Sequence, residues 1–499
     1  MSSLTPHLPA LQVVIPLITA PLAALMPDRR LAWALATAAS LCALAIALAL
    51  VGEVRAQGTV VYEMGSWAPP YGIALGIDAM SALLLLVVTG ASTLALFAAA
   101  TSLSTEVEEE RQPHFYAAWL LALSGLSGIL VTADAFNIFV FMEISSLSAY
   151  ILIAGGPDRR ALPAVFKYLA MGTIGATFYL IGVGLVYMMT GTLNLADMEL
   201  RLGEVGQAKP ILVAAGFITV GLALKAAVFP LHVWLPNAYT FAPNVVTVFL
   251  AACATKISIY VLIRFDFFVF QHNLIAHDWQ FSYFLMPLAI LGILVASIVA
   301  IFETDLKRLL AWSSVAQIGY IILGASLVSA AGLTAAMLHM FNHALAKGAA
   351  FLALTCLALS ISRLDIRNIG GVAKRMPWTM AAFVVGGLSL IGVPGTAGFI
   401  SKWYLIKAAL DMGSLALPLV AVILIGSVMA VVYVWRVVEV AYFGKGAGEA
   451  NNNYIQEAPL AILIPTWIVV ALNIWFGLVP SLPVGLSSHA AGLLMGHLQ

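Results

Sequence analysis

Charged residues are scarce in this sequence. Lysine, arginine, aspartate and glutamate make up 9% of its 499 residues, whereas hydrophobic residues make up 62%. A soluble globular protein usually carries about 25% charged residues, so a soluble fold of this size is excluded. The formal net charge is zero, which indicates no basic surface for nucleic acid.

Cysteine is scarce as well, and its placement excludes several kinds of site. Cys42, Cys253 and Cys356 all lie in apolar segments and form no CxxC pair. The sequence therefore indicates no disulfide framework, zinc site or iron–sulfur cluster. It also has no nucleotide, flavin or quinone motif, and we expect no cofactor. No basic region precedes the first apolar segment, so residues 11–27 are predicted to be a retained helix and not a cleaved signal.

Long apolar segments are abundant. About 20 apolar residues cross the hydrocarbon core of a bilayer, and the sequence has fourteen such segments. The chain is therefore predicted to be an all-α integral membrane protein. Residues 52–72 hold glycine and proline between short β-prone pieces and are predicted to form an external hairpin. The predicted spans are 10–27, 31–51, 73–103, 114–132, 135–155, 161–189, 210–230, 244–264, 281–302, 308–329, 332–362, 377–410, 415–442 and 456–478.

The loops between these spans predict an orientation. With the N-terminus outside, the inside loops hold thirteen lysines and arginines and the outside loops hold four. Cytoplasmic loops of membrane proteins are enriched in these residues. We therefore predict an even number of spans with both termini outside. The acidic run Glu106–Glu110 is then predicted to be cytoplasmic.

Several ionisable side chains nevertheless lie within the predicted spans. A charge at the middle of a bilayer costs roughly 2.5–3.5 kcal/mol on insertion scales, so these side chains are expected to face the interior of the bundle, as is typical of an ion or proton pathway. They are Glu143, Lys225, Lys256, His339, His343, Lys347 and Lys402, with Asp78, Lys167 and Lys407 nearer to span ends.

Each of these side chains also has a purely structural interpretation. Glu143 could tie two helices together without titrating. Lys225 could extend to the membrane surface. However, the pKa of lysine moves readily on burial, which suits a site that gains and loses a proton, and Lys225 lies five residues before Pro230. Lys256 lies near the middle of its span, where such an extension is harder. Asp78 could as well cap a helix.

Two histidines and a lysine share one face of the eleventh predicted span. His339, His343 and Lys347 are spaced four residues apart, so they drift only about 80° around a helix while rising about 12 Å. This stripe suits a proton relay, because histidine changes its charge near neutral pH; satisfied core histidines are the alternative. An HxxxH pair could also bind metal, but no third ligand accompanies it, and we expect no metal site.

Proline interrupts two spans that are five apart in order. Pro230 follows Lys225, and Pro394 lies eight residues before Lys402. Inverted repeats with discontinuous helices are typical of transporters, so the layout predicts two five-helix repeats of opposite topology. The predicted regions are the N-terminal helices and hairpin (1–113), the first repeat (114–264), the second repeat (281–442) and the last helix with its tail (443–499).

The segment Lys225–Pro243, KAAVFPLHVWLPNAYTFAP, resembles the signature of a family of antiporter-like membrane subunits. Respiratory complex I, membrane-bound hydrogenases and multisubunit cation/proton (Mrp) antiporters share these subunits. The resemblance covers nearly the whole chain and implies fourteen spans with two inverted five-helix units. Further matching stretches are GIDAMS, FVFMEISSLSAY, DLKRLLAWSSVAQIGY, HMFNHALAKGAAFL and GVPGTAGFISKW.

The resemblance also implies roles for the buried charges. It pairs Glu143 with Lys225, and it continues the pathway through Lys256 and the histidine stretch of the eleventh span to Lys402. Separation of the first pair would release the lysine proton toward Lys256, and from there toward His339 or His343 and then Lys402.

Within this family the sequence is most similar to the D-type subunit of Mrp antiporters, with the N-type subunit of complex I next. Tyr239 stands where the M and L types usually have histidine, and Lys402 stands where the M type usually has glutamate. Asn237 and Asn244 depart from the common acidic and serine residues. This similarity implies a proton-translocating subunit of a bacterial inner-membrane complex, with other membrane subunits as partners and a monovalent cation as the coupled ion.

Three other functions fit the same residues. The chain could be a proton-pumping subunit of a complex I-like oxidoreductase or a membrane-bound hydrogenase. It could also be a self-sufficient secondary transporter, or a purely structural membrane scaffold. A scaffold would tolerate loss of the buried lysines.

Overall fold

The computed structural model describes residues 5–206, 208–271, 278–444 and 455–496. Almost all of these residues are helical, which follows from the need of a chain in lipid to satisfy its backbone hydrogen bonds internally. The α-helices are α1 (Leu8–Ala24), α2 (Arg29–Gln57), α3 (Ala79–Ser102), α4 (Gln112–Val131), α5 (Ala135–Ala154), α6 (Ala161–Thr190), α7 (Leu195–Val205), α8 (Lys209–Ala226), α9 (Leu235–Phe241), α10 (Asn244–Arg264), α11 (Met286–Phe302), α12 (Leu306–Ser326), α13 (Ala330–Ala358), α14 (Pro377–Ile391), α15 (Ala397–Leu410), α16 (Ala416–Phe443), α17 (Leu460–Leu478) and α18 (Ser481–Met495).

Thirteen helices of the described residues are long and apolar enough to cross a membrane. The prediction of an all-α integral membrane protein is confirmed. The remaining predicted span, 377–410, is divided between the shorter helices α14 and α15. Gly392 and Gly395 in the gap between them have φ angles of 91° and 89°. Such positive φ angles are readily adopted only by glycine, so the helix cannot continue through this segment.

The other proline-containing span is broken in a similar way. Helix α8 ends at Ala226, and Ala227 adopts a left-handed conformation with φ 57°. The chain resumes as α9 at Leu235, after Pro230. Proline lacks a backbone N–H and clashes with the preceding turn, which explains why the helix stops here.

Helix α13 lies at the centre of the bundle. It packs against α10, α12, α14, α15, α17 and α18. Between Gly332 and Leu357 only Leu345 is partly exposed. The histidine and lysine stripe of α13 is therefore surrounded by protein on every side.

A β-hairpin precedes α3. Strand β1 (Val60–Glu63) pairs antiparallel with β2 (Ala74–Ile77). The hairpin predicted at 52–72 lies too early in the sequence: its first residues belong to α2, and the second strand occupies the start of the predicted third span. Asp78 marks the point where strand β2 gives way to helix α3. Its carboxylate accepts a hydrogen bond from the Ser81 N–H (2.9 Å) and so caps α3.

Two helices are not predicted by the apolar segments. Helix α7 is amphipathic and buries Leu195, Met198 and Leu202 along one face; at 11 residues it is too short to register as a span. Helix α18 lies where only a tail is expected from the sequence, and it packs against α13 and α3. Its 15 residues also fall short of a bilayer crossing.

Two isolated antiparallel pairings join loop segments at matching places. Asp134 pairs with Asn194, and Asp305 pairs with Asp365, sixty residues apart in each case. Each first aspartate also accepts a backbone hydrogen bond from three residues ahead and so caps the helix that follows. A common plan for the two five-helix regions would produce this match; the inverted repeats themselves stay a prediction.

The predicted orientation can be tested by labelling single cysteines in a cysteine-free background. Tyr71→Cys should react with a membrane-impermeant maleimide in intact cells, because Tyr71 is 92% exposed and predicted to be external. Asn368→Cys and Glu110→Cys, both at exposed positions, should react only after the cells are opened. Labelling of residue 368 from outside would overturn the predicted topology.

Candidate functional site

An ion pair between α5 and α8 forms one end of the candidate site. The Lys225 ammonium donates hydrogen bonds to Glu143 Oε1 (3.1 Å) and to Ser146 Oγ (2.9 Å). Lys225 is buried, whereas 27% of the Glu143 side chain is exposed. The structure thus brings together the two residues that the resemblance pairs.

The break after α8 fixes the position of Lys225. The lysine is the second-last residue of the helix, where free carbonyl groups and the helix dipole favour a cation. Trp234, beyond the break, donates its indole N–H to Leu224 O (3.0 Å) and holds the broken ends together. Gly175 of α6 allows close packing here, since a Cβ on it would lie 3.2 Å from Lys225 Cγ.

A small cavity lies between the ion pair and α10. It has a volume of about 30 Å³ and is lined by Ser146, Lys225 and Ser258, among apolar residues. This volume is enough for one water molecule next to several polar groups. The cavity extends from Lys225 to the helix that carries Lys256.

Lys256 lies at the middle of α10 and is completely buried. Its ammonium donates to Ala251 O in the preceding turn. No described carboxylate lies within 4.0 Å of it. Lys256 is close enough to Lys347, His339 and His343 on α13 for their charges to interact. Since an unpaired buried charge is costly, this lysine is suited to exist without its proton.

The α13 stripe continues the row of buried groups. Lys347 donates to Leu310 O (2.6 Å) and to Ser313 Oγ, both on α12. The rings of His339 and His343 lie nearly parallel with centroids 6.0 Å apart. The ring nitrogens of His343 contact no polar group among the described residues, and a buried imidazole in this position needs water as its partner.

His339 connects the stripe to the second broken span. Its Nδ1 is 2.8 Å from Ser401 Oγ on α15, and its Nε2 is 2.9 Å from Gln317 Oε1 on α12. Ser401 directly precedes Lys402 in sequence. His339 therefore contacts the residue on α15 that is the sequence neighbour of Lys402, the next buried charge.

Lys402 forms the other end of the row. Its ammonium donates to Leu390 O and Ile391 O (both 3.0 Å) at the end of α14, and to Ser427 Oγ (2.9 Å) on α16. All three donors of the ammonium are used, and no described carboxylate lies within 4.0 Å. Gly392 leaves room for the Lys402 side chain, because a Cβ at this position would lie 2.8 Å from Lys402 Cδ.

Other predicted charges do not join the row. Lys167 and Lys407 are exposed on the surface of the chain. Asp78 forms an ion pair with Arg264 (2.7 Å), in which both side chains are largely buried. Arg264 is the last residue of α10, which has the same bounds as the predicted span 244–264.

Two further buried lysines are not among the site residues predicted from the sequence. Lys347 is recognised there only as part of the stripe, yet it is as buried as Lys256. Lys307 is predicted to lie in a loop, but its position in the first turn of α12 buries it. The spacing of Lys347 from the histidines is the available signal for the first; no sequence signal identifies the second.

The site consists of amines and imidazoles with a carboxylate at one end, and each of these groups can bind and release a proton. It crosses the bundle from Glu143 on α5 to Lys402 on α15. Among the described residues, no group of three His, Cys, Asp or Glu side chains could hold a metal ion.

Comparison with known proteins gives consistent matches over almost the whole chain. The family model for the transmembrane region of NADH:quinone oxidoreductase and Mrp antiporters matches residues 132–430. The N subunit of the NADH-quinone oxidoreductase of Desulforudis audaxviator is 42% identical over 489 residues, which cover 93% of this chain and 94% of that protein. The D subunit of the Na(+)/H(+) antiporter of Alkalihalophilus pseudofirmus is 29% identical, with 87% and 86% covered.

A solved structure matches the fold to a similar extent. A chain in the Mrp complex from Dietzia sp. DQ12-45-1b superposes with a TM-score of 0.89. The match covers 98% of this chain and 97% of that chain, at 28% sequence identity.

Proposed function

Because this chain belongs to the NADH:quinone oxidoreductase/Mrp antiporter family of membrane subunits, we propose that it translocates protons as one membrane subunit of an Mrp-type monovalent cation/proton antiporter. The observation that carries this proposal is the row of buried ionisable groups from Glu143 to Lys402. A structural subunit has no need of four lysines inside a bundle, since each buried charge opposes membrane insertion.

The first step of the proposed mechanism takes place at the Glu143–Lys225 pair. While the carboxylate is near, it stabilises the charged ammonium. When the two separate, the lysine gives up its proton toward the small cavity and Lys256. The neutral amine is ready to accept another proton when the pair forms again.

The second half of the row receives this proton at Lys256 and Lys347. These two ammonium groups repel each other, so a proton arriving at one favours transfer onward through His343 and His339. Ser401 and Gln317 hold the His339 ring in contact with both neighbouring helices. Lys402 then holds the proton beside the free carbonyls of α14.

A neighbouring subunit is proposed to drive the first step. The two relatives described above are subunits of larger complexes by name, and the exposed part of the Glu143 side chain is accessible from outside the chain. A charge or movement in the neighbour can therefore act on the carboxylate directly. The complex is proposed to lie in the inner membrane of a bacterium and to couple protons to a monovalent cation.

A second candidate is the proton-pumping N subunit of a complex I-like oxidoreductase. The 42% identity to the N subunit of an NADH-quinone oxidoreductase favours it. The row of buried charges would act in the same way there, but a redox reaction would drive it. The two candidates differ in the other subunits of the complex.

The subunit composition of the native complex distinguishes these candidates. Affinity purification through a tag on this chain should recover further hydrophobic antiporter subunits if the assembly is of Mrp type. Recovery of peripheral NADH- or quinone-reactive subunits, with NADH-driven proton uptake in vesicles, would favour the oxidoreductase. A chain purified alone would argue against both.

The Glu143–Lys225 pair is predicted to act as one functional unit. Glu143→Gln and Lys225→Ala should each abolish proton transport in membrane vesicles, because loss of one partner of a buried pair typically costs about 3–5 kcal/mol and leaves the other unmatched. The double variant should be no worse than either single variant, since both changes act on one step. Assembly is checked by native gel. Additive losses, or normal transport by Glu143→Gln, would separate the two residues.

Lys402 is predicted to be essential for transport. Lys402→Ala should reduce the rate by about a hundredfold, the scale of a lost proton-transfer group, while the complex still assembles. Lys407→Ala, an exposed lysine on the same helix, is the matched control and should stay within about twofold of wild type. Equal rates for the two variants would show that Lys402 takes no part in transport.

A further inference from the structure

A polar cavity opens at one end of the bundle, away from the row described above. It has a volume of about 310 Å³. The exposed side chains of Arg160 and Arg363 mark its rim, and Asp158, Glu106 and Lys307 line it as well. The rim belongs to the face that carries most loop arginines and lysines, which is predicted to be cytoplasmic.

Lys307 is the buried cation of this cavity. It is 7% exposed, and its ammonium donates to Ala242 O (2.6 Å), in the short link between α9 and α10. No described carboxylate lies within 4.0 Å of it. An ammonium has three donors, so two are available to solvent in the cavity that Lys307 lines.

Glu106 is a half-buried carboxylate of the cavity. Its Oε2 accepts from the Asn244 backbone N–H (3.0 Å), and its Oε1 accepts from the Asn244 side-chain amide (2.8 Å). Burial raises the pKa of the Glu106 carboxyl above its usual value, although the Lys307 charge and the Asn244 N–H oppose this. The other acids of the cavity are engaged at the surface: Asp158 pairs with Arg160, and Asp305 caps α12.

The cavity approaches the central row along two helices. On α12, Lys307 is followed by Leu310 and Ser313, whose oxygens hold the Lys347 ammonium. At 1.5 Å per residue, Ser313 lies only about 9 Å deeper than Lys307. On α13, Thr355 lines the cavity and is two turns away from Lys347.

We propose that Glu106 and Lys307 form the proton inlet of this subunit and deliver protons from the cytoplasmic cavity to Lys347. The proposal rests on the proposed function. The Lys307 ammonium gives its proton to the neutral amine of Lys347. Glu106, which has taken up a proton from the solvent in the cavity, then passes it through water to the neutral amine left at Lys307. Both inlet groups thereby return to their starting forms, a carboxylate and an ammonium.

Transport by the intact complex in vesicles tests the inlet. Glu106→Gln keeps an acceptor for Asn244 but cannot give up a proton, and it should slow transport by about a hundredfold, as loss of a proton-transfer group does. Lys307→Met should have a similar effect. The matched controls are Glu110→Gln in the same acidic run and Lys374→Met on the same face, both at exposed positions; each should stay within about twofold of wild type.

Chemical rescue separates a proton inlet from a structural role. Formate added at the cavity side should restore much of the rate of Glu106→Ala, because this weak acid can enter the open cavity and replace the carboxyl. Failure of formate to restore an assembled Glu106→Ala complex, or wild-type rates in Glu106→Gln, would overturn the inlet.

The Lys402→Ala variant, measured in the same vesicles, shows which proposal has failed. If Lys402→Ala is inactive and Glu106→Gln is normal, the inlet is wrong and the proposed function stands. If Lys402→Ala is also normal, both are overturned.

Discussion

The cost of burying a charge in an apolar bundle is the constraint on which this structure depends. Each buried ammonium must find oxygen partners inside the protein. In an unbroken helix the carbonyls are already bonded, so Lys256 and Lys347 share carbonyls with the backbone of α10 and α12. The two helix breaks meet this need. The break after α8 leaves Lys225 at a helix end, and the break after α14 exposes the carbonyls that hold Lys402. The two helix breaks and the positions of Lys225 and Lys402 therefore have one cause, which is the need of a buried ammonium for oxygen partners.

The two ends of the row satisfy this constraint differently. Lys225 relies on a carboxylate, whose removal leaves the lysine without a counter-charge. Lys402 relies on carbonyl and hydroxyl dipoles, which remain in place whether or not the lysine holds a proton. The first end can therefore be switched by moving one side chain, whereas the second can exchange its proton without rearrangement. In the proposed mechanism, this difference places the control of proton transfer at the Glu143 end.

Much of this arrangement could be predicted from the sequence, and the exceptions have physical reasons. Apolar length identified the spanning helices, and proline identified both breaks. The partnership of Glu143 with Lys225 came from the resemblance alone, since spacing along a chain does not show which distant helices touch. Lys307 was missed because a lysine in the first turn of a helix looks solvated until its neighbours are known. Helices α7 and α18 were missed because each is shorter than a bilayer crossing.

Helix α13 is continuous for 29 residues. The spans that carry Lys225 and Lys402, at the two ends of the row, are each interrupted by a break. The hydrogen-bonded backbone of α13 fixes the distances between the Cα atoms of His339, His343 and Lys347. The backbone spacing of these three residues cannot change without unwinding this helix. In the proposed mechanism, the distance that opens and closes therefore lies at the Lys225 end of the row, and the α13 backbone keeps its spacing throughout.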